Sequence, residues 1–424
     1  MIEKLKVYGN QKVNGTVNIS GAKNAALPIL AAGLLSENGL QLSNVPPLAD
    51  VSTMLSLLER LGVSYTPTRD AIHAMSVCLK TDSVDNFIAP YEIVKKMRAS
   101  ILVLGPLLTR FGQCAVSMPG GCTIGVRPID FHIKGMEALG ARVELKDGYV
   151  HAVARKGLKG TVFKFPVISV TGTENLMMAA TLADGTTVLQ NVAKEPEVVD
   201  LANCLNKMGA KISGAGTDVI TITGVASLHS VKHSIISDRI EAGSYAIAAG
   251  ITSGCVNLIG ENLRYMLSAF IEKMSQIGLI FSDIPDGISV KCVGKLEPID
   301  IETAEFPGYP TDLQAQSMSL LCLADGVSNI RENIWENRFQ HVAELSRMGA
   351  NISYSASHAI VTGIPKFTSA PVMATDLRAS FGLVLAALAA AGDSMIDRAY
   401  HLDRGYCCIE EKFSKCGVLV ERIR

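Results

Sequence analysis

Within ten residues, the segment Pro119-Gly120-Gly121-Cys122-Thr123-Ile124-Gly125-Val126-Arg127-Pro128 places a thiol beside three glycines, two prolines and an arginine. So many backbone breakers exclude a packed helix or strand and predict a mobile loop. A cation close in sequence favours a thiolate, so Cys122 reads as a reactive thiol, the alternative being a Gly-rich turn with an incidental cysteine. The other nine of the ten cysteines form no C-x-x-C pair, and most sit in apolar strings such as Leu321-Cys322-Leu323. There a thiol behaves as a small hydrophobe, which argues against a disulfide framework or a metal site.

Anion-binding chemistry is the second theme. Lys23-Asn24 lies where Ser20-Gly21-Ala22 runs into an apolar helix, and a lysine with backbone N–H groups at a helix start suits phosphate or carboxylate. A solvated capping lysine is the plainer alternative, and a surface charge is the plainer alternative for Arg98 in Lys96-Met97-Arg98-Ala99-Ser100. Arg378 and Arg404 each follow an aspartate, in Asp376-Leu377-Arg378 and Asp403-Arg404. Their forks suit bidentate carboxylate or phosphate binding, or a local pair with the preceding aspartate. Asp312, after Pro307-Gly308-Tyr309-Pro310-Thr311, is either a helix-capping carboxylate or a general base. Trp335-Glu336-Asn337-Arg338-Phe339 adds a polar cluster nearby.

These groups need a scaffold, and the scaffold is repetitive. A helical pattern ending in glycine recurs at Gly62, Gly140, Gly209, Gly278, Gly349 and Gly417, and a second series falls at Gly39, Gly112, Gly185, Gly254, Gly326 and Gly392. Each glycine is placed to end a helix at positive φ. A period of roughly 70 residues is too long for a small solenoid and fits a compact α/β module. One copy shows its order: Thr186–Val192 reads as a strand, Val198–Met208 as a helix, and Lys211–Ser213 with Val219–Ile222 as a strand pair. The expected fold is α/β, six βαβαββ units in two lobes around a ligand-binding cleft. The expected domains are 1–21 plus 237–424, completed by the N-terminal strand around Leu5 and Val7, and 22–236, which carries the Cys122 loop.

Composition removes other classes. The 424 residues are 48% hydrophobic and 19% charged, so the chain is no disordered tail. Lys+Arg 39 against Asp+Glu 40 gives a net charge of −1, and aromatics are only 5%. A nucleic-acid binder usually carries a basic excess and stacking rings. No apolar signal core opens the chain, and the longest apolar runs fall short of the roughly 20 residues that span a bilayer. A soluble, cytoplasmic protein without membrane insertion is expected.

Taken together, the segments Ser20–Pro28, Met97–Ser100, Pro119–Pro128, Asp238–Glu241, Pro310–Gln316, Glu336–Phe339, Met373–Ser380 and His401–Tyr406 resemble the UDP-N-acetylglucosamine 1-carboxyvinyltransferase family. These are the enolpyruvyl transferases that open peptidoglycan precursor synthesis, and the resemblance covers essentially the whole chain. It implies a two-lobed inside-out α/β barrel, phosphoenolpyruvate as co-substrate, and no metal or organic cofactor. It further implies that Cys122 donates a proton to the enolpyruvyl methylene and can carry a covalent phosphoenolpyruvate adduct. Lys23, Arg127 and Arg404, with Arg378 and Asn24 near them, would surround phosphoenolpyruvate. Asn24, Arg98, Asp312 and Ile334 would contact the UDP-sugar, and Arg127, Pro128, Ile129, Asp130 and Phe131 would hold its uridine end. Asp312 would be the base for the sugar 3-hydroxyl. Some relatives have a lysine shortly before a Ser-Val pair; Val167 stands there, so backbone contacts from Ser169 and Val170 are expected instead. The related 5-enolpyruvylshikimate-3-phosphate synthases share the fold and are the nearest alternative, against which the Cys-bearing loop and the Asp312 segment argue. A repeat scaffold that only binds a partner is the non-enzymatic alternative.

Overall fold

A computed structural model describes residues 3–71, 73–118 and 129–423. Residues 3–20 with 237–423 form one compact unit, and residues 21–118 with 129–236 form another. The described strands make six four-stranded sheets, three in each unit. All six share one pattern: the first strand pairs in parallel with the second, and two antiparallel strands follow. A parallel pair needs a crossover, and helices such as Val170–Ala180, between strands Val162–Lys164 and Thr186–Gln190, provide it.

Two sheets exchange their first strands. Asn14–Asn18 leads into the helix Lys23–Ala32 yet pairs with Cys255–Ile259, whereas Lys232–Ser234 leads into Arg239–Ile251 yet pairs with Gln41–Val45. The strand Lys4–Val7 lies between Ser394–Asp397 and Val420–Ile423, antiparallel to both.

The crossover helices are buried on nearly every side, their polar residues included. Every residue of Arg239–Ile251 is buried, as are all but two of Leu377–Ala389. A fully buried Leu or Phe of this kind contributes roughly 1.5–3 kcal/mol. The sheets turn one face toward these helices and the other toward solvent: Leu189, Ile220 and Ile222 are fully buried while Thr186, Val219 and Thr223 are exposed. Helices inside and sheets outside give the expected inside-out α/β fold.

The six glycines of the first series all adopt positive φ, between +72° and +112°. The second series departs from expectation, because Gly254 and Gly392 do not. A Cβ at Gly254 would sit 2.1 Å from the Val13 carbonyl oxygen, so close backbone approach explains that glycine. At Gly392 the limit is the Ser369 Oγ at 2.9 Å.

Candidate active site

In the unit formed by 21–118 and 129–236, Lys23 is the first residue of its helix and only 8% exposed. Its Nζ lies 3.4 Å from Asp50 Oδ2, on the helix Ala49–Arg60. It is therefore not the solvated capping lysine its position allowed. Asn24, next along, is half-buried. Lys23 and Asn24 are the first two residues of this helix, an end that favours an anion.

The other predicted residues of this unit gather around His132. Arg98 opens the 3-10 helix Arg98–Val103, and Asp130 and Phe131 begin the helix Asp130–Ala138 behind the buried Ile129. Ser169 caps Val170–Ala180 by accepting from Gly172 N at 3.2 Å. His132, on the same turn as Asp130 and Phe131, is 3% exposed and faces Asn175 and Thr171 of that capped helix. Asn175 Oδ1 accepts from Gly105 N at 2.7 Å, which turns its Nδ2 to donate to Ile101 O and to His132 Nδ1 at 2.9 Å. Nδ1 is thereby the acceptor nitrogen, and the ring stays neutral. Burial, then the Arg98 charge, pushes the His132 pKa down to about 4. Val167 is 58% exposed, so nothing about it substitutes for a lysine.

In the unit formed by 3–20 and 237–423, Asp312 sits in the 3-10 helix Thr311–Leu313 and caps no helix. Its Oδ1 accepts from Arg338 Nη2 at 2.7 Å and its Oδ2 from Arg378 Nε at 3.1 Å. Both arginines are buried, at 6% and 2% exposure. The aspartates that precede Arg378 and Arg404 in sequence have partners of their own. Asp376 caps the helix Leu377–Ala389, accepting from the Arg378 and Ala379 amides at 2.8 and 3.0 Å, which fixes Arg378 in its first turn. Asp403 accepts from Arg422 through both oxygens, at 2.6 and 2.7 Å. Arg404 ends the 3-10 helix Ala399–Arg404 and is half-buried.

Burial works against the Arg378 charge, but Asp312, Tyr406 and Asp238 more than offset it and raise its pKa. Its Nη1 has no hydrogen-bond partner among the described residues. A buried guanidinium nitrogen without an acceptor is a ready donor to a carboxylate or phosphate oxygen. Ile334 is half-buried, with its amide donating to Glu332 Oε1 at 3.0 Å. Arg338, Glu332 and His132 were not singled out from sequence; only the polar run around Arg338 gave a signal. Cys122, Arg127 and Pro128 lie outside the described residues.

The EPSP synthase (3-phosphoshikimate 1-carboxyvinyltransferase) family model matches residues 7–413. A Dinoroseobacter shibae protein named UDP-N-acetylglucosamine 1-carboxyvinyltransferase is 53% identical over 424 residues, covering 100% of both chains. One of the same name from Acidiphilium cryptum is 51% identical over 423 residues, again covering 100% of both. The chain belongs to this family of UDP-N-acetylglucosamine 1-carboxyvinyltransferases, within the EPSP synthase family. The enolpyruvyl transferase NikO from Streptomyces tendae superposes with a TM-score of 0.89 at 23% identity, covering 99% of each chain. EPSP synthase from Acinetobacter baumannii superposes with 0.77 at 16% identity, covering 100% of each. Those two similarities show the shared enolpyruvyl transferase fold.

Membership in this carboxyvinyltransferase family gives the thiols a context. Burial pushes Cys114, Cys204 and Cys322 up to about 12, as expected of core thiols. Cys255, at the start of its strand, is exposed, a position its sequence had not distinguished from the core thiols. No helix among the described residues is long and apolar enough to cross a membrane.

Proposed function

We propose that this chain transfers the enolpyruvyl group of phosphoenolpyruvate to the 3-hydroxyl of UDP-N-acetylglucosamine and releases phosphate. The observation that carries the reading is the Asp312 carboxylate held between Arg338 and Arg378, with the Arg378 Nη1 edge left open. It sets a proton acceptor beside a cation suited to the anionic co-substrate. The names of relatives about half identical over the whole chain support the sugar nucleotide as acceptor and a carboxyvinyl group as the one transferred.

In this reading the sugar O3 attacks C2 of phosphoenolpyruvate while Asp312 takes the hydroxyl proton. Cys122 delivers its thiol proton to C3, giving a tetrahedral adduct. Loss of a C3 proton with departure of phosphate then restores the double bond as an enol ether. A thiol with an ordinary pKa near 8.5 is mostly protonated at neutral pH and so can donate. Lys23, Arg127, Arg378 and Arg404, with Asn24, hold the phosphate and carboxylate of phosphoenolpyruvate. Arg98, Pro128, Ile129, Asp130, Phe131, Ser169, Val170 and Ile334 hold the sugar nucleotide. Phosphoenolpyruvate is co-substrate, also able to bond covalently to Cys122, and no metal or organic cofactor takes part. The reaction belongs to peptidoglycan precursor synthesis in the cytoplasm, with small molecules as partners and neither nucleic acid nor membrane insertion involved.

The test is phosphate release. It should occur only when UDP-N-acetylglucosamine and phosphoenolpyruvate are both present; turnover of shikimate-3-phosphate in place of the sugar nucleotide would reverse the assignment.

A further inference from the structure

Thr311, whose own side chain contacts neither substrate in the reading above, is the link between Asp312 and a buried carboxylate. Glu332 follows the strand Val327–Arg331 and is 2% exposed. Its Oε1 accepts from Thr303 Oγ1 and Thr311 Oγ1, both at 2.9 Å, and from the amides of Ile334 and Trp335 at 3.0 and 3.2 Å. Its Oε2 also lies 2.9 Å from Thr311 Oγ1. Hydroxyls and backbone amides, all able to donate, face this carboxylate.

The consequence is a fixed direction of donation. Thr311 has one hydroxyl proton, and Glu332 takes it. The Thr311 oxygen must then act as acceptor on its other side, where Arg338 Nη1 donates at 2.7 Å. With Nη1 so engaged, the planar fork of Arg338 aims Nη2 at Asp312 Oδ1, also at 2.7 Å. The same carboxylate ties down the backbone at Ile334 and Trp335, in the segment that leads to Arg338.

We infer that Glu332 is a positioning residue for the transfer reaction, acting through the Thr311 hydroxyl to set the Arg338 guanidinium and hence the Asp312 carboxylate. The inference rests on the functional reading above. It adds a residue that touches neither reacting group. Replacing the carboxylate with an amide puts an N–H₂ where a second acceptor was. That N–H₂ donates to the Thr311 oxygen in competition with Arg338 Nη1, and the base loses its fixed bearing.

The experiment compares single-turnover phosphate release in the parent, Glu332→Gln, Thr311→Val and the double variant, with folding checked by circular dichroism. Each single change should lower the chemical step by about tenfold or more, since small misplacements of a catalytic group are costly. KM for the UDP-sugar should move much less. Because both act on one relay, the double variant should lose no more than the worse single variant. Thr311→Ser, which returns the hydroxyl, should recover most of what Thr311→Val loses, and this arm still decides the matter if Glu332→Gln does not fold. Multiplicative losses in the double variant, an unchanged rate in folded Glu332→Gln, or no recovery in Thr311→Ser would overturn the inference. A parent enzyme that releases no phosphate would instead defeat the functional reading itself.

Discussion

Asp312 carries two separable duties, and Asp312→Asn should affect both. As a base it accepts a proton, which an amide does at no useful driving force, so the single-turnover rate should fall on the order of a hundredfold. As an ion-pair partner it satisfies two buried arginines, and an amide can accept from only one of them. Removing one member of a buried pair typically costs about 3–5 kcal/mol, less here because the Asp312 side chain is 27% exposed. A loss of stability in urea without a loss of rate would demote Asp312 to a structural anchor. Cys122 makes the second prediction. A phosphoenolpyruvate-like epoxide such as fosfomycin should label Cys122, faster with UDP-sugar bound. The exposed Cys255 and the buried thiols should stay unlabelled, by peptide mapping. Label mainly on Cys255, or full activity in Cys122→Ala, would contradict the role. At this scale the sequence showed residue types but not partners. Arg378 was readable as a ligand-binding arginine, yet its bond to a residue 66 positions away was not. The spacing of Asp376 left two readings open, because a cap to the backbone amides and a side-chain pair share it.

Element ends place the site residues, and His132 shows how strongly. The helix Asp130–Ala138 is locked to Val170–Ala180 by a neutral imidazole whose Nδ1 accepts from Asn175. Its folded pKa of about 4 lies below the unfolded value near 6.5. Between those values the unfolded chain binds a proton that the folded chain does not, so stability falls as pH drops from about 6.5 to 4 and is flat above. The buried His341, also pushed down to about 4 by burial despite the opposing charge of Asp376, adds to the slope. Each contributes about 3 kcal/mol over that window, at about 1.4 kcal/mol per unit. Urea midpoints of His132→Gln against the parent should therefore converge by about that much on acidification. A constant gap from pH 7 to 4 would show that His132 does not titrate as described. The helices themselves were legible from apolar spacing: Val198–Met208 was expected and Pro196–Lys207 is found. His132 was not, because a buried histidine and a surface one look alike in sequence until the facing helix is known.

For the whole chain, the repeat was the most legible feature, and for a physical reason. Each unit ends its outer helix with a glycine at positive φ, a constraint that leaves a mark every 70 residues or so. Six such glycines correspond to six sheets. The partners of Asn14–Asn18 and Lys232–Ser234 were not legible, since nothing in so short a strand names the one it pairs with. The fold is shared with the enolpyruvyl transferase NikO and with EPSP synthase, so the fold leaves the acceptor open. The most direct measurement of the central claim is therefore the product itself, isolated from a reaction of this chain with UDP-N-acetylglucosamine and phosphoenolpyruvate and analysed by mass spectrometry and proton NMR. The account predicts one enolpyruvyl ether on the sugar 3-oxygen for each phosphate released. Unmodified sugar nucleotide alongside released phosphate, or the ether on another hydroxyl, would contradict it.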